Sequence, residues 1–188
     1  SPTAGFAGGY ASYQVLKPLS ITVGYEFASG NDYSDTTGLK TKSRAFSTLY
    51  SNSHGFYGYM DLFNGMLSAG DGIGLTDFYA RATVKVGEKT NIEACYRMIG
   101  MPNGYLPAGT ATSPKYYLAV DKQLGTEIDL MVTHTIVKNF DVNAAYCFFL
   151  PTHTMERWNG LKPGTSTWAQ YAYVMLTWKP VFFSADLK

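Results

Sequence analysis

The sequence predicts an all-β fold, a transmembrane antiparallel up-and-down β-barrel, with about seven strands visible here as part of a larger barrel. Three observations predict this fold: strand-length segments in which apolar and polar residues alternate, connections that alternate between short and long, and an aromatic composition with few charges. The 188 residues include 15 Tyr, 11 Phe and 19 Gly, and only 15% of them are charged. Such a composition is typical of turn-rich β proteins.

The hydropathy of the chain is compatible with strands that cross a membrane. Mean hydropathy is −0.10, which would be low for a helical membrane protein. A transmembrane strand, however, needs only about 9–11 residues and presents an apolar side chain to lipid at every second position. The net charge of +1 comes from evenly mixed charges, so there is no basic patch and no nucleic acid partner is expected.

Seven segments alternate with period two and are rich in Tyr, Val, Ile, Phe or Thr. They are 6–16, 19–29, 73–86, 90–100, 126–137, 140–150 and 168–179. Three of their connections are minimal, at 17–18, 87–89 and 138–139, and three are long, at 30–72, 101–125 and 151–167. Short and long connections alternate strictly along the chain. Outer-membrane barrels have short periplasmic turns and long outer loops. The alternative, a soluble lipocalin-like or sandwich domain, has no reason to follow this rule.

The stretch 115–120, with the sequence KYYLAV, could be counted as an eighth strand. An extra strand there would place the short turns 87–89 and 138–139 on opposite sides of the sheet. We therefore interpret 115–125 as the outer rim of a loop.

Charged residues concentrate on one side of the predicted strands. In 73–86, for example, Phe78 and Val84 share one face, whereas Asp77 and Arg81 share the other. We predict that the charged side chains face one interior and pair across neighbouring strands, because an Arg or Lys facing lipid at mid-membrane costs about 2–4 kcal/mol. These lumen-facing residues are Glu26, Asp77, Arg81, Lys85, Glu93, Arg97, Glu127 and Asp129.

The apolar face of segment 126–137 has one polar exception, His134, and the apolar face of the last strand has an aromatic residue at each end. Trp168 and Trp178 share the apolar parity of that strand and lie ten residues apart. In a strand tilted by about 40°, ten residues span roughly 25 Å along the membrane normal, which is the expected height of the apolar band. Tryptophans at those heights are typical of interfacial girdles.

Few side chains suggest catalysis or metal binding. Cys95 and Cys147 fall on lumen parity two strands apart, about 9–10 Å, which exceeds the roughly 7 Å limit for a disulfide, so both are expected to be free thiols. The three histidines lack metal-ligand spacing, and no nucleophile motif is present. Asp77, His54 and His153 could meet at the outer rim in a barrel-borne hydrolase. We nevertheless expect no enzyme, no metal and no cofactor.

The acidic segment that follows 19–29 offers Asn31, Asp32 and Asp35 as oxygen ligands for calcium. It lacks the spacing of an EF-hand loop. Asn, Asp and Gly are also the residues that form turns through side chain to backbone hydrogen bonds. Turn chemistry is therefore the favoured interpretation.

The long extracellular connection 30–72 is expected to be ordered and to pack into or over the pore mouth. Its aromatic side chains, including Tyr57 and Phe63, are too many to remain in water. A connection that packs in this way would narrow the channel. The residues expected to form the constriction are Phe46, Tyr50, His54, Phe56 and Tyr59.

The same connection carries a family resemblance. Residues 24–32 read GYEFASGND, and residues 45–61 read AFSTLYSNSHGFYGYMD. They resemble the alginate export family of outer-membrane barrels, in which a GYxxxSGD-like strand end precedes an F-x-x-L-[FY]-x-x-x-H-x-[FY]-x-G-x-x-D pattern. The matching positions are Phe46, Leu49, Tyr50, His54, Phe56, Gly58 and Asp61. Further similarities are GLTD at 74–77, LGTEIDL at 124–130, WAQ at 168–170 and VMLT at 174–177.

The resemblance implies a large porin-like barrel in the outer membrane of a Gram-negative cell, passing small solutes or anionic polysaccharide. Its partners would be the lipid bilayer, lipopolysaccharide and the transported solute or polysaccharide. The alginate exporter is understood to have a strongly basic lumen, whereas the predicted lumen here mixes both signs, so alginate itself is not the expected substrate. A passive channel is the favoured function; the alternatives are a structural barrel subunit of an envelope complex and a barrel enzyme.

Residues 1–188 are expected to form a single barrel segment, the C-terminal part of a barrel. A bacterial single-chain barrel has an even number of strands with both ends periplasmic, so seven strands cannot be the total. We expect the remaining N-terminal barrel segment or a partner chain to supply the other strands, because an unpaired edge in lipid costs several kcal/mol for each unsatisfied backbone group.

Overall fold

A computed structural model describes residues 4–35, 43–47, 57–63, 72–107 and 117–180 of the chain. Within these ranges seven strands form one antiparallel sheet, the main sheet, in the order β1-β2-β3-β4-β7-β8-β9. Their bounds are β1 Phe6–Leu16, β2 Leu19–Ala28, β3 Leu75–Val86, β4 Thr90–Gly100, β7 Gln123–Val137, β8 Phe140–Pro151 and β9 Ala169–Trp178. The prediction of an all-β, antiparallel, up-and-down sheet is confirmed.

The three short turns lie where the sequence places them, between β1 and β2, β3 and β4, and β7 and β8. Gly87 has φ 65° and Asn139 has φ 65°. Tight hairpin turns require such left-handed residues, and Gly and Asn adopt this conformation at the least steric cost. Because consecutive long strands pair as hairpins, the short turns all lie at one end of the main sheet.

The stretch 115–125 differs in part from the prediction. Tyr117–Ala119 forms a short strand, β6, that pairs with β5, Tyr105–Pro107, and not with the main sheet. The parity argument therefore holds, but residues 123–125 belong to β7 and not to a loop rim. A register shift between Ile99 and Gly100 lets Gly100 pair with Gln123, which extends the ladder beyond the predicted start.

A short helix, α1, His153–Trp158, occupies the connection 151–167 that the sequence predicts as a loop. The Thr152 side chain caps it by accepting a hydrogen bond from the Met155 backbone N–H. With six residues it is too short to give a periodic hydrophobic signal.

The polarity of the main sheet is inverted relative to that of a water-soluble protein. We call the side that carries Asp77 and Asp129 the polar face, and the side that carries Phe78 and Leu130 the apolar face. Asp77 is 0% and Asp129 1% exposed, whereas Phe78 is 43% and Leu130 46% exposed. Aliphatic and aromatic side chains thus cover the open surface, and carboxylates lie beneath the loops.

The buried apolar residues lie at the long-connection end of the main sheet. They join the ends of the strands to the loops that fold over them, and include Tyr57, Phe63, Ile73, Ile99, Met101, Leu124, Phe149 and Met155. The core therefore fixes the position of the loops relative to the polar face.

The main sheet is open in the part of the chain that the structure describes, with β1 and β9 at its two edges. Every residue of β1 is exposed. Over these same residues, no helix has the length and apolar character needed to cross a membrane.

Candidate pore-lining site

The register of the main sheet places all eight predicted charged residues on the polar face. Glu26 lies opposite Asp77, and Arg97 lies opposite both Tyr79 and Glu127. The other positions follow from the same ladders, with Arg81 opposite Cys95, Cys95 opposite Asp129, Thr83 opposite Glu93 and Lys85 opposite Asn91. On the apolar face, Phe78 lies opposite Met98.

Arg97 is the centre of a buried ionic group. Its guanidinium donates to Asp77, and its Nε lies 3.6 Å from Oδ2 of Asp129. The guanidinium carbon lies 4.9 Å from the centre of the Tyr79 ring, within the range of a cation–π contact. Arg97 is 4% exposed, so a single cation compensates carboxylates from β3 and β7.

A second ion pair lies nearer the short-turn end of the polar face. Arg81 Nε is 3.2 Å from Oε1 of Glu93, across the diagonal between β3 and β4. Both side chains are more accessible than the Arg97 group, at 30% and 18% exposed. Lys85, which follows Thr83 on the same face of β3, is exposed. Charge along the face is therefore most deeply covered near the long connections.

The residues 57–63, here called the constriction segment, are seated on the polar face by Glu127. The backbone N–H groups of Tyr59 and Met60 donate to Glu127 Oε1 at 2.7 and 3.3 Å. Tyr57 has φ 62° and Gly58 has φ 97°, so successive left-handed residues turn these amides toward one carboxylate. A Cβ at Gly58 would lie 2.2 Å from that same oxygen, and only glycine fits there.

Aromatic packing completes the seat of the constriction segment. Phe63 contacts Phe149 of β8 edge to face, with ring centres 5.4 Å apart, and Tyr57 and Phe63 are buried. Burial raises the pKa of Tyr59 to about 12, and Glu93 adds to the rise. Burial, with a smaller contribution from Glu26, also raises the pKa of Tyr57. Both phenols stay neutral in the physiological range.

The residues predicted to form the constriction are placed only in part. Phe46 stacks on Phe6 with ring centres 5.5 Å apart, and its N–H donates to the Ser29 carbonyl, so it lies at the rim beside β1 and β2. Tyr59 is half-buried against the polar face. The others lie outside the described residues, namely Tyr50, His54 and Phe56, and so does Leu49 of the family pattern.

The turn after β2 confirms turn chemistry. Asp32 Oδ1 accepts hydrogen bonds from the backbone N–H and hydroxyl of Ser34, at 3.0 and 2.6 Å. Asn31 Oδ1 accepts from the Arg44 N–H at 2.8 Å, and Arg44 also pairs with Asp35. Over the described ranges, no group of three or more His, Cys, Asp or Glu side chains is arranged to hold a metal ion.

The two thiols flank one carboxylate. Cys95 and Cys147 are free thiols, as predicted; both are buried and lie directly opposite Asp129 from its two sides. On the apolar face, the exception His134 lies opposite Thr90, and its Nδ1 is 2.8 Å from the Thr90 hydroxyl. This contact gives the imidazole ring a polar partner on the apolar face.

Glu156 is a structural carboxylate that the sequence does not reveal. It lies buried in α1 and accepts the backbone N–H groups of Gly164 at 2.7 Å and Ser166 at 2.5 Å. These hydrogen bonds, first that from Ser166 and then that from Gly164, lower the pKa of Glu156. His153 begins the same helix, and Asp77 is bound to Arg97; His54, the third residue of the hydrolase alternative, lies outside the described residues.

The comparisons with known proteins add no assignment. No protein-family model matches this sequence, and no curated protein matches it. The resemblance to the alginate export family stays a prediction.

Proposed function

We propose that the main sheet is part of the wall of an outer-membrane β-barrel that acts as a porin-like channel for solutes. The inverted polarity of the sheet carries this proposal. Apolar side chains cover the open face, whereas an ion-paired, hydroxyl-rich face is turned toward the loops. A lipid-facing exterior and a polar lumen have this distribution.

The dimensions of the strands support a membrane wall. The strands of the main sheet have 10 to 15 residues, and a tilted transmembrane strand needs about 9–11. Trp168, directly before β9, and Trp178, its last residue, are 51% and 69% exposed. Amphipathic rings at those heights suit the two interfaces of a bilayer.

The open edges support closure by strands of another segment. β1 and β9 stand first and seventh in an antiparallel order, so they run in the same direction. Antiparallel closure then requires an odd number of intervening strands. A second copy would pair antiparallel only if inverted, which would place its long connections on the opposite side of the membrane. A further segment of the polypeptide, or a different chain, is the closing partner that fits.

The constriction segment supports a narrowed pore, and the charges indicate the class of solute. The polar face carries Glu26, Asp77, Glu93, Glu127 and Asp129 against Arg81, Lys85 and Arg97. An interior with this excess of carboxylates suits small solutes better than a polyanionic chain. The resemblance to the alginate export family therefore concerns the barrel and not alginate as the substrate.

Reconstitution of the purified native protein into planar lipid bilayers tests the channel. Discrete conductance steps are the expected result. A heat-modifiable, folded barrel that gives no steps would overturn the channel and favour a structural subunit of a cell-envelope complex.

A further inference from the structure

The apolar face has a groove near its middle, across β4, β7, β8 and β9. Its volume is about 630 Å³. Two adjacent rows of the sheet line the groove, one with Ile92, Val132, Ala144 and Val174 opposite one another and the next with Leu130 opposite Tyr146. The hydroxyl of Tyr146 is already bound to Gln170 at 2.7 Å. The side chains of this face therefore offer the groove to a hydrocarbon chain and not to a polar solute.

Three exposed lysines stand at the short-turn end of the same strands. Lys89 precedes β4, Lys138 joins β7 to β8, and Lys179 follows β9. Lys89 Nζ donates to the Ile136 carbonyl at 3.4 Å. The Lys179 backbone N–H donates to the Asn139 carbonyl at 2.9 Å. Both lysines therefore lie beside the turn that carries Lys138, and we call the three the lysine cluster.

The positive charge of the lysine cluster is not balanced within the described residues. None of its members forms an ion pair there. Glu88 is an exposed carboxylate at this end, whereas Asp141 belongs to the polar face and accepts a hydroxyl hydrogen bond on that side. At the opposite end of β7, exposed Lys122 stands next to exposed Asp121. The short-turn end of the groove strands is therefore the end that attracts an anion.

The distance from the lysine cluster to the groove matches the depth of one membrane leaflet. Val132 lies six residues before Lys138. Six residues at about 3.3 Å each, in a strand tilted by about 40°, span roughly 15 Å along the membrane normal. The hydrocarbon core is about 30 Å thick, so the groove lies where the acyl chains of one leaflet end. Between the two, the apolar face carries Val142 and Leu176 beside the hydroxyl-bound His134.

We propose that the groove and the lysine cluster together bind one anionic glycerophospholipid from the leaflet on the short-turn side. An acyl chain lies in the groove, and the phosphate lies at the lysines. The proposal rests on the membrane-spanning barrel proposed above, which it deepens with a lipid partner. Lipid surrounds the whole apolar face, so the groove alone selects no particular lipid, and exposed lysines alone hold a free phosphate weakly. Joined in one molecule, the two contacts reinforce each other.

Native mass spectrometry of the full-length protein in detergent micelles tests this site, because each bound lipid is resolved as a separate mass. The first phosphatidylglycerol should bind at least about tenfold more tightly than the first phosphatidylcholine, since each lysine near an anionic headgroup contributes roughly fivefold in affinity. The triple variant Lys89→Gln, Lys138→Gln, Lys179→Gln should lose this preference. Lys122→Gln, at the opposite end of β7, is the matched control and should keep it.

Ala144→Phe tests the groove separately from the lysines. Its ring fills the space that the acyl chain needs, and the open apolar face accommodates the ring without repacking. The first phosphatidylglycerol should then bind about tenfold more weakly. Ala172→Phe, which lines the same groove, replaces this variant if heat-modifiability shows that it does not fold. Ala11→Phe, on the exposed apolar face of β1, is the control and should bind lipid as the wild type does.

The outcomes separate the lipid site from the channel. Equal affinities of the wild type for the two lipids, or a preference that survives the loss of the three lysines, would overturn the site. An unchanged affinity in Ala144→Phe would reduce it to headgroup attraction and overturn it as well, and so would displacement of phosphatidylglycerol by lipopolysaccharide at equal concentration. A folded protein that keeps the preference but conducts no ions supports the lipid site and overturns the channel. A conducting protein without the preference overturns the lipid site alone.

Discussion

Replacing Gly58 by Ala should dislodge the constriction segment by more than backbone strain alone. Gly58 has φ +97°, and a Cβ there would lie 2.2 Å from Oε1 of Glu127. A non-glycine residue in a left-handed conformation costs about 1–2 kcal/mol. Displacing the carboxylate also forfeits hydrogen bonds from Tyr59 and Met60, each worth about 1.5–3 kcal/mol when the acceptor is charged. The seated state should lose roughly 4–8 kcal/mol in total.

Hydrogen exchange at the Tyr59 and Met60 amides measures this loss directly. Because about 1.4 kcal/mol corresponds to a factor of ten, exchange should accelerate by roughly 10³-fold or more, up to the rate of an unprotected amide. Gly87→Ala is the matched control, since Gly87 also has a positive φ of +65° but no atom within 4 Å of the added Cβ. It should leave exchange at Tyr59 and Met60 at the wild-type rate.

The same substitution made in the Glu127→Ala variant identifies the source of the lost stability. In Glu127→Ala the added methyl group at Gly58 has room, so Gly58→Ala should cost only the strain of the backbone there. Wild-type exchange at Tyr59 in the Gly58→Ala protein would refute the seating described above. An equal cost in both backgrounds would show that contact with Glu127 is not its cause.

Three further changes test the faces and the rim. Leu130→Arg, at the middle of the apolar face, should lower the free energy of urea unfolding from lipid by about 2–4 kcal/mol. Thr133→Arg, on the polar face, should lower it much less. A loss within about 0.5 kcal/mol for Leu130→Arg would indicate that the apolar face is exposed to water. Arg97→Met leaves buried carboxylates without their cation and should lower the free energy of unfolding by about 3–5 kcal/mol. Arg81 belongs to a partly exposed ion pair, so Arg81→Met should lower it by about 1 kcal/mol or less. Equal losses in the two variants would contradict the buried ionic group. Because hydrogen bonds lower the pKa of Glu156 below its ordinary 4.5, its carboxylate stabilises the rim above that pH and this contribution is lost on acidification. Exchange of its donor amides, corrected for intrinsic rates, should then rise at acid pH only in the wild type and not in Glu156→Gln, and a flat wild-type profile would exclude this role.

The strands could be predicted from the sequence because the relevant signals are local. Alternation of period two fixed which residues share a face, and a one-residue error would have turned Arg97 and Asp129 toward the apolar side. The short turns have Gly87 and Asn139 at left-handed positions, which residue type alone suggests. Boundaries were therefore right to within a few residues.

The seat of the constriction segment could not be predicted, because its decisive contacts are long-range and partly carried by the backbone. Tyr59 and Met60 hold Glu127 through their amides, and an amide leaves no trace in side-chain pattern. Gly58 is the one local signal, and in the sequence it stands only as a match to the family pattern. The hairpin of β5 and β6 is stabilised by its place at the rim, and three-residue strands are too short for alternation to be recognised.

The seat of the constriction segment also has a consequence for the order of assembly. Tyr59 and its acceptor Glu127 are separated by 68 positions in the chain, with β3 and β4 between them. The constriction segment therefore has no Glu127 carboxylate to bind until β7 has joined β4. In the proposed barrel, an assembly intermediate without β7 would have a lumen that this segment does not yet narrow, and it would be leakier than the finished protein.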